Sequence, residues 1–187
     1  MTDEDLRARL VATGAELLAQ EGPQALTLRE IARRAGVSHG APRRHFPTHL
    51  ALLSAIARRG FTDLAARLGP EAAEPPREQL ARLARTYLDF AAEQPGMYEL
   101  MFRHDLLESG ELGLRETSLP LFARLGTLIA EARPGTDPTV AAGAFWANLH
   151  GLAQLHRWGS LQLATGTPEI GPLLTAVLDA HLGPAAA

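Results

Sequence analysis

Residues 27–46, TLREIARRAGVSHGAPRRHF, constrain this chain more than any other stretch. The segment reads as two short helices joined by a tight turn. Thr27 followed by Glu30 fits a capping box, in which a hydroxyl and a carboxylate satisfy orphan amides at a helix start. Leu28, Ile31, Ala32 and Ala35 recur at helical spacing and give one apolar face. Gly36 ends that helix, because glycine accepts the left-handed conformation of a sharp exit. Val37 plugs the corner, and Ser38 is placed to cap a second helix over about residues 39–45. That helix carries Arg43, Arg44 and His45 before Phe46 returns to the core. Such a unit is a helix-turn-helix, whose second helix enters the DNA major groove.

From about Leu10 to Ile56 the chain resembles the DNA-binding head of TetR-family transcriptional regulators. The resemblance runs through AELLAQEG, LTLREIARRAGVS, the RHF element and the following LALLSAI, an ordered series more specific than a lone helix-turn-helix. It implies an all-helical homodimer with a three-helix head and a larger ligand-binding and dimerisation body. It also implies a repressor that leaves a palindromic operator when a small molecule binds. On this reading residues 1–48 form the DNA-binding domain and 49–187 the ligand-binding and dimerisation domain.

Charge distribution agrees with that division. The net charge of −3 argues on its face against nucleic acid. Yet residues 1–60 hold nine Arg against six acids, a balance of +3, and residues 61–187 nine Arg against fifteen acids, a balance of −6. A basic head on an acidic body suits a protein that touches DNA with one end. The chain has no cysteine, which removes disulfides and thiolate chemistry. It has no apolar run long enough to span a bilayer, and its acidic start, Thr2-Asp3-Glu4-Asp5, is wrong for a signal peptide. A soluble, cytoplasmic protein is expected, with no membrane partner.

Prolines and glycines divide the chain into about nine helices, an all-α fold. The first spans about residues 3–21, and the helix-turn-helix follows it. Thr48 caps a fourth helix to about residue 68, a fifth covers 77–93, and Pro95 opens a short sixth through 102. A seventh runs from Leu112 to about 133, with Pro120 as a kink or break. Asp137-Pro138 caps an eighth to about 158, and Thr167-Pro168 a ninth to about 181.

For DNA contact the resemblance singles out Thr27, through its backbone amide at the helix start, and Ser38 and Gly40, which keep the small-residue start of the recognition helix. His39 and Ala41 face the groove, with Arg43, Arg44, His45 and His49 around them. Ala41-Pro42-Arg43 departs from the family pattern of a small or hydroxyl residue, an apolar residue and tyrosine. Pro42 forfeits an amide bond to the Ser38 carbonyl, which implies a tighter first turn. Arg43 replaces a phosphate-binding tyrosine, and His49 stands where the family carries a lysine. The alternative is that Arg33, Arg34, Arg43 and Arg44 form only a solvated face.

In the body, Trp146, His150 and Gly151 within FWANLHGL resemble the Trp-x3-His-Gly element of one TetR-family C-terminal domain type. Trp146 and His150 share a helix face, either as packing or as a pocket wall. Tyr87, Phe90, Tyr98, Met101 and Phe102 are the further candidates for contact with a small, largely apolar ligand. Met97 and His104 lie in the same stretch, and ordinary core packing is the competing explanation. Ile170, Leu173, Leu174, Val177 and Leu178 form an apolar stripe on the last helix. With Leu149 and Leu152 of the preceding helix they are the expected dimer interface, half of a four-helix bundle. Charge at Leu174 and Leu178 is expected to abolish dimerisation and operator binding together.

Catalysis is not expected. No nucleophile elbow, P-loop or dinucleotide glycine pattern occurs, and His150 and His156, six apart, fall on different helix faces. No metal site and no cofactor are expected. A ligand- or partner-binding protein with weakened or ligand-dependent DNA binding is the remaining alternative, and Pro42 is its basis.

Overall fold

The computed structural model describes residues 3–70, 73–108 and 113–184. Among these residues the chain forms eleven α-helices and one short 3-10 turn, and no strand. They are α1 (Asp3–Glu21), the 3-10 turn (Pro23–Ala25), α2 (Leu28–Arg34), α3 (Ala41–His45), α4 (His49–Leu68) and α5 (Pro76–Glu93). Then follow α6 (Pro95–Met101), α7 (His104–Glu108), α8 (Leu114–Ala132), α9 (Pro138–Arg157), α10 (Ser160–Thr165) and α11 (Gly171–Leu182).

The helices fall into two compact units, residues 1–64 with 94–118, and residues 65–93 with 119–187. In the first unit Leu10, Leu17 and Leu18 of α1 pack with Ile31, Phe46, Leu52 and Ile56, all essentially excluded from solvent. Small residues bring these helices together. A Cβ on Gly14 would lie 2.4 Å from Cδ1 of Ile56, and one on Gly96 would lie 3.2 Å from the backbone oxygen of Leu18. The core extends through Tyr98 and Met101 of α6, with the Phe102 ring edge-on to Phe61 and Tyr98 at 5.6 and 5.0 Å.

In the second unit α5, α9 and α11 share a core of Leu80, Leu83, Phe90, Phe145, Leu149, Leu174 and Leu178. Arginines close its helix ends, where carbonyls lack intrahelical donors. Arg82 donates to the Leu68 carbonyl at 3.0 Å, and Arg124 to those of Gly69 and Pro70. At the end of α11, Arg133 reaches the His181 carbonyl at 2.8 Å, while Arg77 binds the Gly183 carbonyl and Asp179. These four cations serve the body's own backbone.

Most expected helices occur, with departures of clear physical origin. Thr48 and Asp137 cap as expected: Thr48 Oγ1 accepts from the Ala51 amide at 2.9 Å, and Asp137 Oδ1 from Thr139 and Val140 at 2.9 and 3.1 Å. The expected start of the seventh helix at Leu112 lies outside the described residues, as does Thr2. Pro120 does not break α8; it lies on an exposed face, where water can take the carbonyl it leaves without a donor. The last helix starts after Ile170 rather than at Pro168, because Pro172 supplies the first-turn proline and Thr167 instead turns back to the Glu169 amide at 3.1 Å. The short α7 and α10, five and six residues, add to the nine expected.

Candidate nucleic-acid interface and ligand site

The turn between α2 and α3 is a Schellman ending. The Val37 amide donates to the Ala32 carbonyl at 3.0 Å and the Gly36 amide to Arg33 at 3.2 Å, with Gly36 left-handed at φ 66°. Before α2, Thr27 Oγ1 accepts from the Glu30 amide at 3.1 Å, which is one half of the expected capping box. The reciprocal half does not form. The Thr27 amide donates to the Ala25 carbonyl at 2.8 Å across an inverse γ-turn at Leu26 (φ −73°, ψ 71°). The Thr27 amide is thereby occupied, and the amides of Leu28 and Arg29 are the ones that helical bonding leaves over at this helix start.

The Glu30 carboxylate turns to α2 itself. Arg33 Nε and Nη2 reach it at 2.9 and 2.5 Å and Arg34 Nε at 2.9 Å. Arg33 and then Arg34 lower the Glu30 pKa from 4.5 to about 2. Arg34 also binds Gln20 at 3.0 Å and the Glu21 carboxylate, bracing α2 on α1. Among the described residues Arg29, Arg43 and Arg44 are exposed and stand in no ion pair, as do Arg7 and Arg9 of α1, so their charge is uncompensated. Arg29 was not singled out by its sequence pattern; its place in the first turn of α2, beside those two amides, is the signal for it.

The second helix is shorter than expected. It begins at Ala41, not His39, and Ser38 does not cap it. Pro42 is the reason: lacking an N–H, it leaves the Ser38 carbonyl to the Ala41 amide, a 3.0 Å bond that closes a tight turn over His39 and Gly40. Pro42 is buried, and Phe46, fully buried beneath the guanidinium of Arg7 at 5.2 Å, anchors the far end. Ser38, His39, Gly40, Arg43 and Arg44 are exposed on this short element, and Ala41 and His45 are half-buried. His49 Nε2 donates to the Leu26 carbonyl at 2.5 Å, which occupies the nitrogen that carries the proton in the neutral ring.

In the second unit three predicted ligand residues are joined. Trp146 Nε1 donates to Tyr87 Oη at 3.2 Å, and Tyr87 Oη lies 3.0 Å from His150 Nδ1. The Trp146 indole is 38% exposed, 5.8 Å from the His150 ring and edge-on to Phe122 at 6.3 Å. Phe122, Leu119, Gly126 and Pro138 line a groove of about 740 Å³ that also holds Glu131. Phe90 is separate, fully buried under the Arg67 guanidinium at 5.3 Å. Tyr98, Met101 and Phe102 belong to the first unit's core, where Gly60 admits the sulfurs of Met97 and Met101.

The expected dimer stripe divides in two. Leu149, Leu152, Leu174 and Leu178 are buried within the unit itself, because α11 uses that side of its stripe to dock on α5 and α9. They are core in a single chain, which corrects their expected place on an open interface. Ile170, Leu173 and Val177 are half-buried. Leu155, Trp158 and Leu163 of α9 and its continuation are 39%, 64% and 89% exposed.

Burial holds the His150 imidazole below its usual 6.5, and burial followed by Arg133 does the same to His181, which accepts the Asn148 amide at Nε2 (3.0 Å). Both groups therefore favour the folded state when neutral. Their contribution is complete above pH 6.5 and is lost as pH falls toward the folded values, because the unfolded chain takes up protons first. The unfolding midpoint is expected to drop between pH 7 and about 5. A His150→Gln, His181→Gln pair is expected to flatten that drop in thermal denaturation.

An all-helical chain with a Schellman-turned helix pair and uncompensated arginines at its end is a helix-turn-helix DNA-binding protein. The family profile of bacterial regulatory proteins of the tetR family matches residues 10–56, and that of the tetracyclin repressor-like C-terminal domain matches residues 80–181. The chain belongs to the TetR family and is a DNA-binding transcriptional regulator. An HTH-type transcriptional repressor of Mycobacterium tuberculosis is 29% identical over 171 residues, covering 89% of this chain and 81% of that one. A Rhodococcus sp. RHA1 protein of unknown function is 31% identical, with a TM-score of 0.80 over 95% of this chain and 93% of that one. BioQ bound to its natural double-stranded DNA operator shares the fold, at 21% identity and a TM-score of 0.69 over 97% and 98% of the two chains. Among the described residues no helix is long and apolar enough to cross a membrane, and no group of three metal-binding side chains occurs.

Proposed function

We propose that the chain is a homodimeric, cytoplasmic repressor, released from a palindromic operator by a small, largely apolar ligand. Residues 1–48 serve as its DNA-binding domain and 49–187 as its ligand-binding and dimerisation domain. The observation that carries this reading is the pair Arg43 and Arg44, exposed and outside any ion pair among the described residues, on a recognition element fixed at both ends by Pro42 and Phe46. Arg29, His39, Ala41 and His49 complete the contact surface. Tyr87, Trp146 and His150 receive the ligand, and the relative's function as a repressor gives the direction of regulation. Two heads of a dimer meet successive major grooves roughly 34 Å apart, hence the palindrome. The partner surface is built from Ile170, Leu173 and Val177 with Leu155, Trp158 and Leu163, large apolar groups whose exposure marks an interaction face.

Selection of purified protein against random duplex DNA at fixed, near-physiological salt tests the reading, and one enriched palindrome is the expected result. Arg43→Ala and Arg44→Ala are each expected to weaken operator binding and to reduce the slope of log affinity against log salt by about 1. An unchanged slope in the double variant removes both residues from the interface. The shortened α3 supports a second reading, in which DNA binding is weak or needs the ligand. Restoring the family pattern at residues 41–43 then creates operator binding where the natural sequence has none.

A further inference from the structure

The groove of the second unit is built on one face of α8. Leu119, Phe122, Gly126 and Ala130 recur at three- and four-residue spacing and form a single row along the helix. A Cβ on Gly126 would meet only the backbone oxygen of Pro138, at 3.9 Å, so this glycine is open floor and not a packing point. The row is apolar yet reaches water: Leu119 is 51% exposed, and Phe122 and Gly126 are half-buried. At about 740 Å³ the space falls within the range of small-molecule sites, about 300–1,000 Å³. Tyr87, Trp146 and His150 do not line it, and neither does any residue assigned above to the second copy. The inference therefore rests on neither assignment.

The charge of the groove has one sign. Glu131 is the charged side chain in its lining, exposed and in no ion pair among the described residues. It stands in the last turn of α8, where carbonyls without helical donors add negative charge. Cations nearby are engaged elsewhere: Arg124 donates to the carbonyls of Gly69 and Pro70, and Arg133 to that of His181. The positive end of α9 is also occupied, because Asp137 accepts the Thr139 and Val140 amides at 2.9 and 3.1 Å. An anionic ligand would meet two carboxylates here with no cation to offset them. Residues 61–187, with nine Arg against fifteen acids, add a field of the same sign.

We propose that this groove binds an elongated amphipathic monocation, with its apolar part along Leu119, Phe122 and Gly126 and its ammonium group beside Glu131. Phe122 and Glu131 are nine residues apart, about 13 Å along the helix axis, and that span sets the length of the ligand. Trp146 lies edge-on to Phe122 at 6.3 Å and fixes the ring that the apolar end meets. The ammonium group stays at an exposed rim and keeps much of its hydration. Burial of the apolar part supplies most of the affinity, and Glu131 supplies the selection.

The test is NMR on the full chain labelled at its alanine methyl groups. Ala123 and Ala130 line the groove, and their signals are assigned by loss in Ala123→Ser and Ala130→Ser. Three rigid probes of one shape are titrated: 4-biphenylmethyl-trimethylammonium, 4-biphenylmethanol and 4-biphenylmethanesulfonate. The cation is expected to shift both signals and to bind about tenfold more tightly than the sulfonate, with the alcohol between them. Glu131→Gln is expected to reduce that ratio to about twofold, the scale on which one exposed charge acts. Gly126→Leu fills the floor with a better helix former, so it is expected to abolish all three responses without lowering the unfolding midpoint. Silence from the cation at millimolar concentration overturns the proposal, as does a sulfonate that binds equally well. A ratio unchanged in Glu131→Gln, or binding retained in Gly126→Leu, moves the site elsewhere and overturns it too. If Gly126→Leu instead converts a dimer to a monomer in sedimentation, a second copy occupies the groove and the proposal fails.

Discussion

Replacing Phe46 with alanine is expected to destabilise the first unit by about 3–5 kcal/mol and to abolish operator binding at any salt concentration. The ring is wholly excluded from solvent, and the guanidinium of Arg7 covers it at 5.2 Å. Truncation therefore leaves a cavity and removes a cation–π contact. The functional loss exceeds the stability loss because of the length of α3. Five residues cannot sustain a helix alone, and this one lacks a side-chain cap at its start. Its position depends on Pro42 and Phe46, whose amide closes the last turn on the Pro42 carbonyl at 2.8 Å. Without the ring, Arg43 and Arg44 lose the fixed geometry that two simultaneous DNA contacts require. Chemical denaturation and operator titration of Phe46→Ala and Phe46→Leu test this. A loss below about 1 kcal/mol with operator binding retained would show that α3 is held by something other than Phe46.

The same region marks what the sequence could and could not convey. Local signals were legible: the Thr27 and Thr48 caps, the glycine ending at Gly36, and the Asp137-Pro138 start of α9 each depend on residues within one turn. Pro42 was legible as a missing donor and so as a tight turn before α3, but its burial depends on the core beneath it. The Arg34 contacts with Gln20 and Glu21, fourteen and thirteen positions away, needed the approach of α1 to α2. Trp146 and His150 were paired by helical spacing, whereas Tyr87, fifty-nine residues before Trp146, became their partner only through the packing of α5 on α9. The helices α7 and α10 are too short to establish a period. An apolar stripe is equally silent about whether it faces its own core or a second chain, and the last helix illustrates the consequence.

Leu174→Asp is expected to unfold the second unit, at a cost on the order of 5 kcal/mol or more, rather than simply to separate a dimer. Leu174 is 3% exposed within a single chain, on the side of α11 that meets α5 and α9. The substitution removes a packed side chain and leaves a carboxylate with no partner to compensate its lost hydration. Loss of operator binding in that variant therefore reports on folding. Leu163→Glu and Trp158→Glu separate the two effects, since those side chains are 89% and 64% exposed in the single chain. Each is expected to change the unfolding free energy of the isolated chain by no more than about 0.5 kcal/mol. Both are expected to shift sedimentation from dimer to monomer and to weaken operator binding, because one head on one half-site loses the effective concentration that a linked second head supplies. If the double variant sediments as a dimer, the interface lies elsewhere. If Leu174→Asp remains folded and only its association is lost, the packing of α11 against α5 and α9 is not what holds the second unit together.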